Sequence, residues 1–413
     1  MASSQPLLAL QARFVFPVVG PPIVDGVVTV HGSKIVAVGR KTAGTAVRDL
    51  GNVAVLPGLV NAHTHLEFSH LAMPLGTPGT SLPDWIRQTV ASRRAIADAG
   101  HAAAVAHGLR ESLAAGTTTL GEIATRDWRP AERGLAPNLR IFFELIAPLA
   151  DRVPAAILAA EQFLQAVGPA FIYLALSPHA PYTVHPRLLA ALVALAQRFQ
   201  VPLAMHLAES REELELLRSG CGPFCGLLAD FNAWDPQRDA RYPRVLDYLH
   251  QLAHAPRALV IHGNYLDEAE TQFLAAHADT MAVVYCPRTH HFFRHAAYPL
   301  AQMLELGVSM ALGTDSRASN PDLSLFEEMR FVAEHHPELD GAVVLALGTI
   351  GGAAALGLAD RIGTLEAGKQ ADFVVVQLDQ STVEDPHELV FAPSARVVQT
   401  WAGGHMVYDA DAK

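Results

Sequence analysis

The chain has 413 residues, half of them apolar, enough for one large domain with a smaller companion. Lys and Arg total 30 against 41 Asp and Glu, and the resulting formal charge of −11 argues against nucleic acid as a partner. No apolar run reaches the roughly 20 residues of a membrane span, the N-terminus lacks a basic stretch before its short apolar patch, and three cysteines make no disulfide framework. A cytoplasmic enzyme acting on a small molecule, with no nucleic acid or membrane partner and with a homodimer as the assembly to consider, fits these bounds.

Residues 1–54 read as short strands broken by turns: FVFPVV, GPPIVDG, VVTVHG and KIVAVG alternate Val, Ile and Phe with Gly and Pro. They are too few to bury a core alone. A similar pattern returns over 363–413 in ADFVVVQL, ARVVQTWAGG and HMVY, so the two ends are expected to pair into one small β-sandwich. Over 55–362, strand-like runs occur at 55–61, 117–123, 139–146, 171–177, 202–206, 258–262, 281–286 and 308–313. Segments of helical period lie between most of them, at 84–115, 154–167, 186–199, 245–253, 267–277 and 298–306. Asp84 is placed to cap the first of these helices. Eight strands alternating with helices specify an α/β fold, the parallel (β/α)8 TIM barrel. Two stretches depart from the regular unit: the Pro/Gly-rich 68–83, and 219–247 with Cys221 and Cys225. Both are positioned to cover the catalytic face as long βα loops, and the two cysteines read as packing residues.

The polar residues that follow the strands carry the chemistry. The first strand runs into Asn61-Ala62-His63-Thr64-His65, and alternate residues of a strand share a face. Alone, such a pair is commonly two loop histidines. The fourth strand leads to His179, the fifth ends in His206 with Glu209 three residues on, the sixth ends in His262-Gly263-Asn264, and the eighth in Gly313-Thr314-Asp315-Ser316. In a barrel all these C-terminal strand ends converge on one mouth. Three imidazoles and a carboxylate suit a divalent ion such as zinc or iron(II).

The segments LPGLVNAHTH, MHLAE, VIHGN, ALGTDS and GTLEAGKQADFVVV together resemble the amidohydrolase superfamily, and within it the mononuclear metal-dependent deaminases of adenosine derivatives, cytosine and guanine. The resemblance implies that His63, His65, His206 and Asp315 bind one divalent metal, with zinc ahead of iron. It also implies that Glu209 shuttles the proton, that His262 orients the attacking water, and that Asp315 assists proton transfer to departing ammonia. Binuclear relatives bridge two metals with a carboxylated lysine on strand 4. The four lysines here, Lys34, Lys41, Lys369 and Lys413, all lie outside the barrel strands, so one metal is expected.

SPHAPYTV is similar to the strand-4 segment of adenosine-type deaminases, which makes His179 a substrate contact. HTHLEFS with its Glu67, PDWIR with its Trp85, and CPRTHHFF are similar to aminofutalosine deaminases. The third strand ends in Glu144, where a close adenosylhomocysteine deaminase would carry Arg. Glu67, Glu122 and Glu144 are therefore expected in the pocket, where carboxylates suit hydroxyl or amino groups better than an anionic tail. The expected reaction is hydrolytic removal of the exocyclic amine of an adenine nucleoside derivative, with substrate contacts from His179, Glu67, Glu144 and Trp85. The alternatives are a mononuclear hydrolase that opens a cyclic amide such as an imidazolone, and a non-catalytic barrel scaffold.

Overall fold

The computed structural model describes residues 7–41, 46–128, 137–166, 169–235 and 243–412. The chain begins with strands β1 (Leu8–Val15), β2 (Ile23–His31), β3 (Lys34–Arg40), β4 (Arg48–Asp49) and β5 (Val53–Pro57), then enters the barrel at β6 (Leu59–Thr64). Helices α1 (Leu82–Ala95) and α2 (Asp98–Ala114) follow, then β7 (Thr117–Ala124), β8 (Asn138–Leu145), α3 (Val153–Gln165), β9 (Ile172–Pro178), α4 (Pro186–Phe199) and β10 (Leu203–Leu207). Next come α5 (Arg211–Ser219), α6 (Pro223–Asp230), α7 (Val245–Leu252), β11 (Ala258–His262), α8 (Glu268–Ala276), β12 (Met281–Tyr285), α9 (Pro287–Phe292), α10 (Leu300–Glu305), β13 (Met310–Leu312) and α11 (Leu325–His335). The chain closes with β14 (Phe373–Gln377), β15 (Arg396–Ala402) and β16 (His405–Asp409).

Strands β6 to β13 form one parallel sheet in sequence order, and both chain ends build a second sheet ordered β16-β15-β14-β5-β1-β2-β3, with β4 against β1. This is the (β/α)8 barrel with a terminal β unit, and that unit is one continuous hydrogen-bonded sheet. The strand expected over 55–61 is in fact two. Val53–Pro57 pairs with β14 and β1 in the terminal sheet, and Gly58 marks the crossing into the barrel. A Cβ on Gly58 would lie 2.1 Å from the Thr118 hydroxyl, so only glycine fits that crossing.

The barrel strands split their residues between two cores. Leu59, Leu120, Leu139, Met205, Val260 and Val283 pack outward on the helices, while Val60, Ile123, Phe142, Ala204, Ile261 and Val284 fill the interior above a plug of Ala353, Leu356 and Ile362. Many interior positions are alanine, which suits the small cross-section of an eight-stranded barrel.

Three local expectations are corrected. The helical segment 84–115 is two helices, broken at 96–97 between Ala95 and Asp98. Helix α1 is capped by Ser81, whose hydroxyl accepts the Asp84 N–H, so Asp84 sits one turn further in. The irregular stretch 219–247 contains α6, and residues 236–242 of it lie outside the described residues. Cys225 packs beside Phe224 and Leu228, but Cys221 is exposed. Among the described residues no helix is long and apolar enough to cross a membrane.

Candidate active site

The mouth of the barrel is closed by contacts between its first and last strands. Thr314 N–H and Asp315 N–H both donate to the His63 carbonyl at 3.1 Å. Thr64 Oγ1 donates to the Asp315 carbonyl at 2.9 Å, and Asn61 Nδ2 donates to Thr314 Oγ1 at 2.8 Å. These bonds bring His63 and His65 to Asp315 across the closure between the first and last barrel strands. Val60 and Ala62 face the barrel interior, so strict alternation would turn His63 out toward the helices. The β6–β7 register shifts between Asn61 and Thr64, and such an irregularity re-aims side chains. His63 therefore joins the mouth.

There it meets the other imidazoles. Its ring centroid lies 4.9 Å from that of His65, 5.0 Å from His206 and 5.6 Å from His262. Nitrogens of His63, His65 and His206 all fall within 4.8 Å of one another. Nε2 of both His63 and His65 lies 3.7 Å from Asp315 Oδ1, while Asp315 Oδ2 accepts the Ser319 hydroxyl at 2.7 Å. All four residues are buried.

The protonation pattern suits a cation. His206 Nδ1 lies 3.0 Å from the His179 carbonyl, which can only accept, so Nδ1 carries the proton and Nε2 presents a lone pair. Burial first, then the neighbouring imidazoles, hold His65, His206 and His262 well below the ordinary histidine range. Neutral imidazoles are the form that ligates metal. Both His63 nitrogens and Nδ1 of His65 are buried without a hydrogen-bond partner among the described residues. Buried polar atoms left orphaned cost free energy, and a bound divalent ion is the partner this donor set fits.

Beside this cluster, Glu209 Oε1 lies 3.4 Å from His262 Nε2. Burial, reinforced by Asp315 and Glu213, pushes the Glu209 carboxyl well above its usual range. The Glu209 peptide is held at both ends: its N–H donates to Glu213 Oε2 at 2.8 Å, and its carbonyl accepts Asn264 Nδ2 at 2.9 Å. Tyr298 donates its hydroxyl to the His262 carbonyl at 3.0 Å.

A cavity of about 290 Å³ opens above these groups. His65, His206, Glu209, His262 and Asp315 face it, as do His179, Glu144 and Trp85. His179 Nε2 lies 4.0 Å from Glu144 Oε1, and that carboxylate oxygen is buried without a hydrogen-bond partner among the described residues. Burial raises Glu144 to about 7 and lowers His179 to about 3, so at neutral pH the imidazole is uncharged. Trp85 is anchored by its indole N–H to the Ala318 carbonyl at 2.9 Å.

Glu67 and Glu122 do not line the cavity. Glu67 turns beneath it, binding Arg93 at 2.8 Å and accepting the Thr125 hydroxyl at 3.0 Å. Glu122 accepts the Leu66 N–H at 3.0 Å and thereby holds the turn after His65. Both acidic groups belong to the support of the first βα loop. Sequence reasoning missed Glu213, which fixes Glu209, and Ser319, which fixes Asp315. Ser210-x-x-Glu213 has the spacing of a helix-capping box, but its carboxylate also reaches back past Ser210 to accept Ala208 N–H and Glu209 N–H. That pattern locates a helix start and gives no hint of the second task.

Residues 54–407 match the model of the amidohydrolase family. A 5-methylthioadenosine/S-adenosylhomocysteine deaminase from Desulforudis audaxviator is 31% identical over 97% of this chain and 93% of its own length. An aminodeoxyfutalosine deaminase from Deinococcus radiodurans is 31% identical over 80% of this chain and 81% of its own. Among solved structures, a zinc-bound adenosine deaminase from Xanthomonas campestris superposes with a TM-score of 0.80 at 26% identity, covering 98% of this chain and 94% of that one.

Proposed function

The chain belongs to the amidohydrolase family, and from that premise we propose that it is a metal-dependent hydrolytic deaminase that releases ammonia from the exocyclic amine of an adenine nucleoside derivative. The observation that carries this reading is the pairing of two groups at one cavity floor: a donor set of His63, His65, His206 and Asp315, and a buried carboxyl, Glu209, beside His262. The relatives support the substrate class, since one is named as a deaminase of 5-methylthioadenosine and S-adenosylhomocysteine and the other as a deaminase of aminodeoxyfutalosine.

His63, His65, His206 and Asp315 would hold one divalent ion, which we assign as zinc because three imidazoles and a carboxylate are a common zinc set. When bound, such an ion lowers the pKa of water toward about 7 and so makes a nucleophile available at neutral pH.

The rest of the chemistry belongs to side chains. Attack on the amine-bearing ring carbon requires a proton to leave the water and another to reach the adjacent ring nitrogen. Glu209 is the shuttle for both, and its peptide is clamped by Glu213 and Asn264 so that the carboxyl keeps one position through the transfer. His262, within reach of Glu209, donates a hydrogen bond to the oxygen as it adds to the ring. Asp315 has Oδ2 engaged by Ser319 and only Oδ1 turned to the histidines, which fixes the carboxylate that receives the second water proton and passes it to the departing amine. Glu144 and the neutral His179 stand at the wall where ribose hydroxyls would lie, and the unpartnered Glu144 oxygen accepts one of them. Trp85 adds an apolar surface to the cavity wall.

The test is ammonia release by the zinc-loaded chain from adenosine, 5′-methylthioadenosine and aminodeoxyfutalosine, set against ring opening of imidazolonepropionate. Ammonia from at least one nucleoside is expected. Ring opening with no ammonia from any nucleoside would replace this reading with the cyclic amidohydrolase.

A further inference from the structure

The end of the barrel opposite the candidate active site carries a group of charges that the reaction does not use. Phe142, Ala175 and Leu259 belong to the barrel interior. Residues two apart on a strand share a face, so Arg140, Tyr173 and Arg257 form the next layer toward the strand starts. Arg140 and Tyr173 are direct partners in the β8–β9 register, and Arg257 immediately precedes β11. Arg361 reaches the same layer from the segment that plugs the interior: its guanidinium lies 5.4 Å from the centroid of the Tyr173 ring, and that of Arg140 lies 5.1 Å from it. A Cβ on Gly357 would lie 3.3 Å from Arg257 Nε and 3.8 Å from Arg140 Nη2, so these two guanidiniums flank one glycine.

Little of this positive charge is answered. Arg140 Nη2 donates to the Leu356 carbonyl at 2.8 Å, and Arg257 Nη2 donates to the Asp279 carbonyl at 3.1 Å. Arg140 is only 9% exposed, and its Nε is buried without a hydrogen-bond partner among the described residues. The Arg361 side chain makes no hydrogen bond, and none of the three guanidiniums is ion-paired, among the described residues. Burial lowers Arg140 to about 10; Tyr173 opposes that shift and the nearby Arg257 adds to it. Burial also lowers Arg257, against the exposed Asp279 carboxylate. Buried charge left without a counter-charge is costly. Arg288, committed to a structural role, shows the contrast: its Nε donates to Glu328 at 2.7 Å and its Nη2 to Asp322 at 2.6 Å.

We propose that Arg140, Arg257 and Arg361 bind a phosphate group at the N-terminal end of the barrel. Three guanidiniums carry more charge than one carboxylate neutralises. A phosphate carries more than one negative charge at neutral pH and presents oxygens in several directions, which suits guanidinium forks that converge from different strands. Tyr173 stacks with both Arg140 and Arg361 and so holds their forks in place before the anion arrives. Tyr173, Arg257 and Arg361 are half-buried, so solvent reaches the group, and the buried Arg140 forms its floor. This face of a barrel serves stability and the opposite face chemistry. A bound phosphate would tie the starts of β8, β9 and β11 to the plug segment and stabilise the folded chain by mass action. The proposal is independent of the deaminase reading, whose residues all stand at the other ends of the strands.

The experiment titrates the zinc-loaded full chain with inorganic phosphate in a calorimeter at constant ionic strength. Saturable binding with a Kd on the order of 1 mM or tighter is expected. Arg257→Gln/Arg361→Gln should weaken it by at least about tenfold, since two charged forks are lost. A second measurement needs no variant: phenylglyoxal modifies accessible arginines, and mass spectrometry of the peptides shows which of them phosphate protects. Arg257 and Arg361 should be protected over the concentration range of the titration, and Arg94 and Arg152, which line the catalytic cavity, should not. Phenyl phosphate separates the two sources of the group. Affinity equal to that of the free ion supports the site as a receptor for the phosphate end of a larger molecule, and affinity at least about tenfold weaker supports it as a site for the ion itself. Absence of saturable binding, an affinity that survives the double variant, or protection that falls on Arg94 and Arg152 instead overturns the proposal.

Discussion

Glu213 offers a prediction whose size and sign both follow from its surroundings. Its carboxyl is fully buried and accepts Ala208 N–H at 3.1 Å and Glu209 N–H at 2.8 Å. Burial outweighs these bonds and raises its pKa to about 7 from an ordinary 4.5. A carboxyl with a raised folded pKa contributes stability that is fully present below 4.5 and is lost as pH climbs through 7. A shift of about 2.5 units corresponds to about 3 kcal/mol in all, of which about 2.5 kcal/mol is lost between pH 5 and pH 8. Glu213→Gln removes the titration and keeps one acceptor. Its amide places a donor against a backbone N–H, so the variant is the less stable protein at pH 5, by about 1–3 kcal/mol. Urea unfolding of both proteins at pH 5, 6, 7 and 8 isolates the group, because every other titrating residue is common to the two. The stability difference should shift by about 2.5 kcal/mol in favour of Gln from the lowest to the highest pH. A difference that stays flat across this range would refute the account of Glu213 as a buried acid that ionises near neutrality.

Other consequences concern the site directly. Glu209→Gln should abolish turnover, lowering kcat by at least about 100-fold, while elemental analysis still finds about one metal per chain; retained activity would remove Glu209 as the shuttle. His206→Ala deletes a ligand and should cost both metal and activity, so a fully metallated variant would show that His206 does not ligate. Gly313→Ala tests how closely the last strand approaches the first. Its Cβ would lie 2.9 Å from both Cβ and O of His63, forcing that ligand to move, and metal affinity should fall by roughly 10–100-fold. Competition with a chromophoric chelator measures it, and unchanged affinity would mean that the strand end yields without disturbing His63.

The barrel was legible because its signal is redundant. Seven of the eight strand runs fall within one or two residues of the observed strands, since Val- and Ile-rich segments separated by Leu-rich helices leave little latitude. The eighth, 55–61, spans a change of sheet that apolar character alone does not reveal, as Val53–Pro57 and Leu59–Thr64 are equally buried. The cavity floor was legible for a similar reason: His206 and His262 lie at the very ends of their strands, and Asp315 comes shortly after its own. Glu67 was misplaced because local sequence does not disclose a partner 26 residues on, and Arg93 turns it away from the cavity. The α6 wall was invisible because its Leu227, Leu228 and Phe231 look like ordinary core, and only the packing of α6 beside α1 makes them a lining.

The backbone at the site shows why periodicity could bring the argument to the strand ends and no further. Ala208, His262 and Asp315 have φ of 54°, 69° and 53°, a left-handed conformation that side-chain-bearing residues adopt at a cost of about 1–3 kcal/mol each. Each ends or follows a barrel strand and breaks its alternation, so the next side chain leaves in a direction no strand pattern encodes. Each is also held by a group from elsewhere in the chain: Ala208 N–H by Glu213, the His262 carbonyl by Tyr298, the Asp315 carbonyl by Thr64. The strain and its supports are therefore one feature. A regular strand end would have been more stable locally, but it would have left Glu209, His262 and Asp315 pointing at different faces. The residues that hold the turns are as necessary to the reaction geometry as those that touch the substrate.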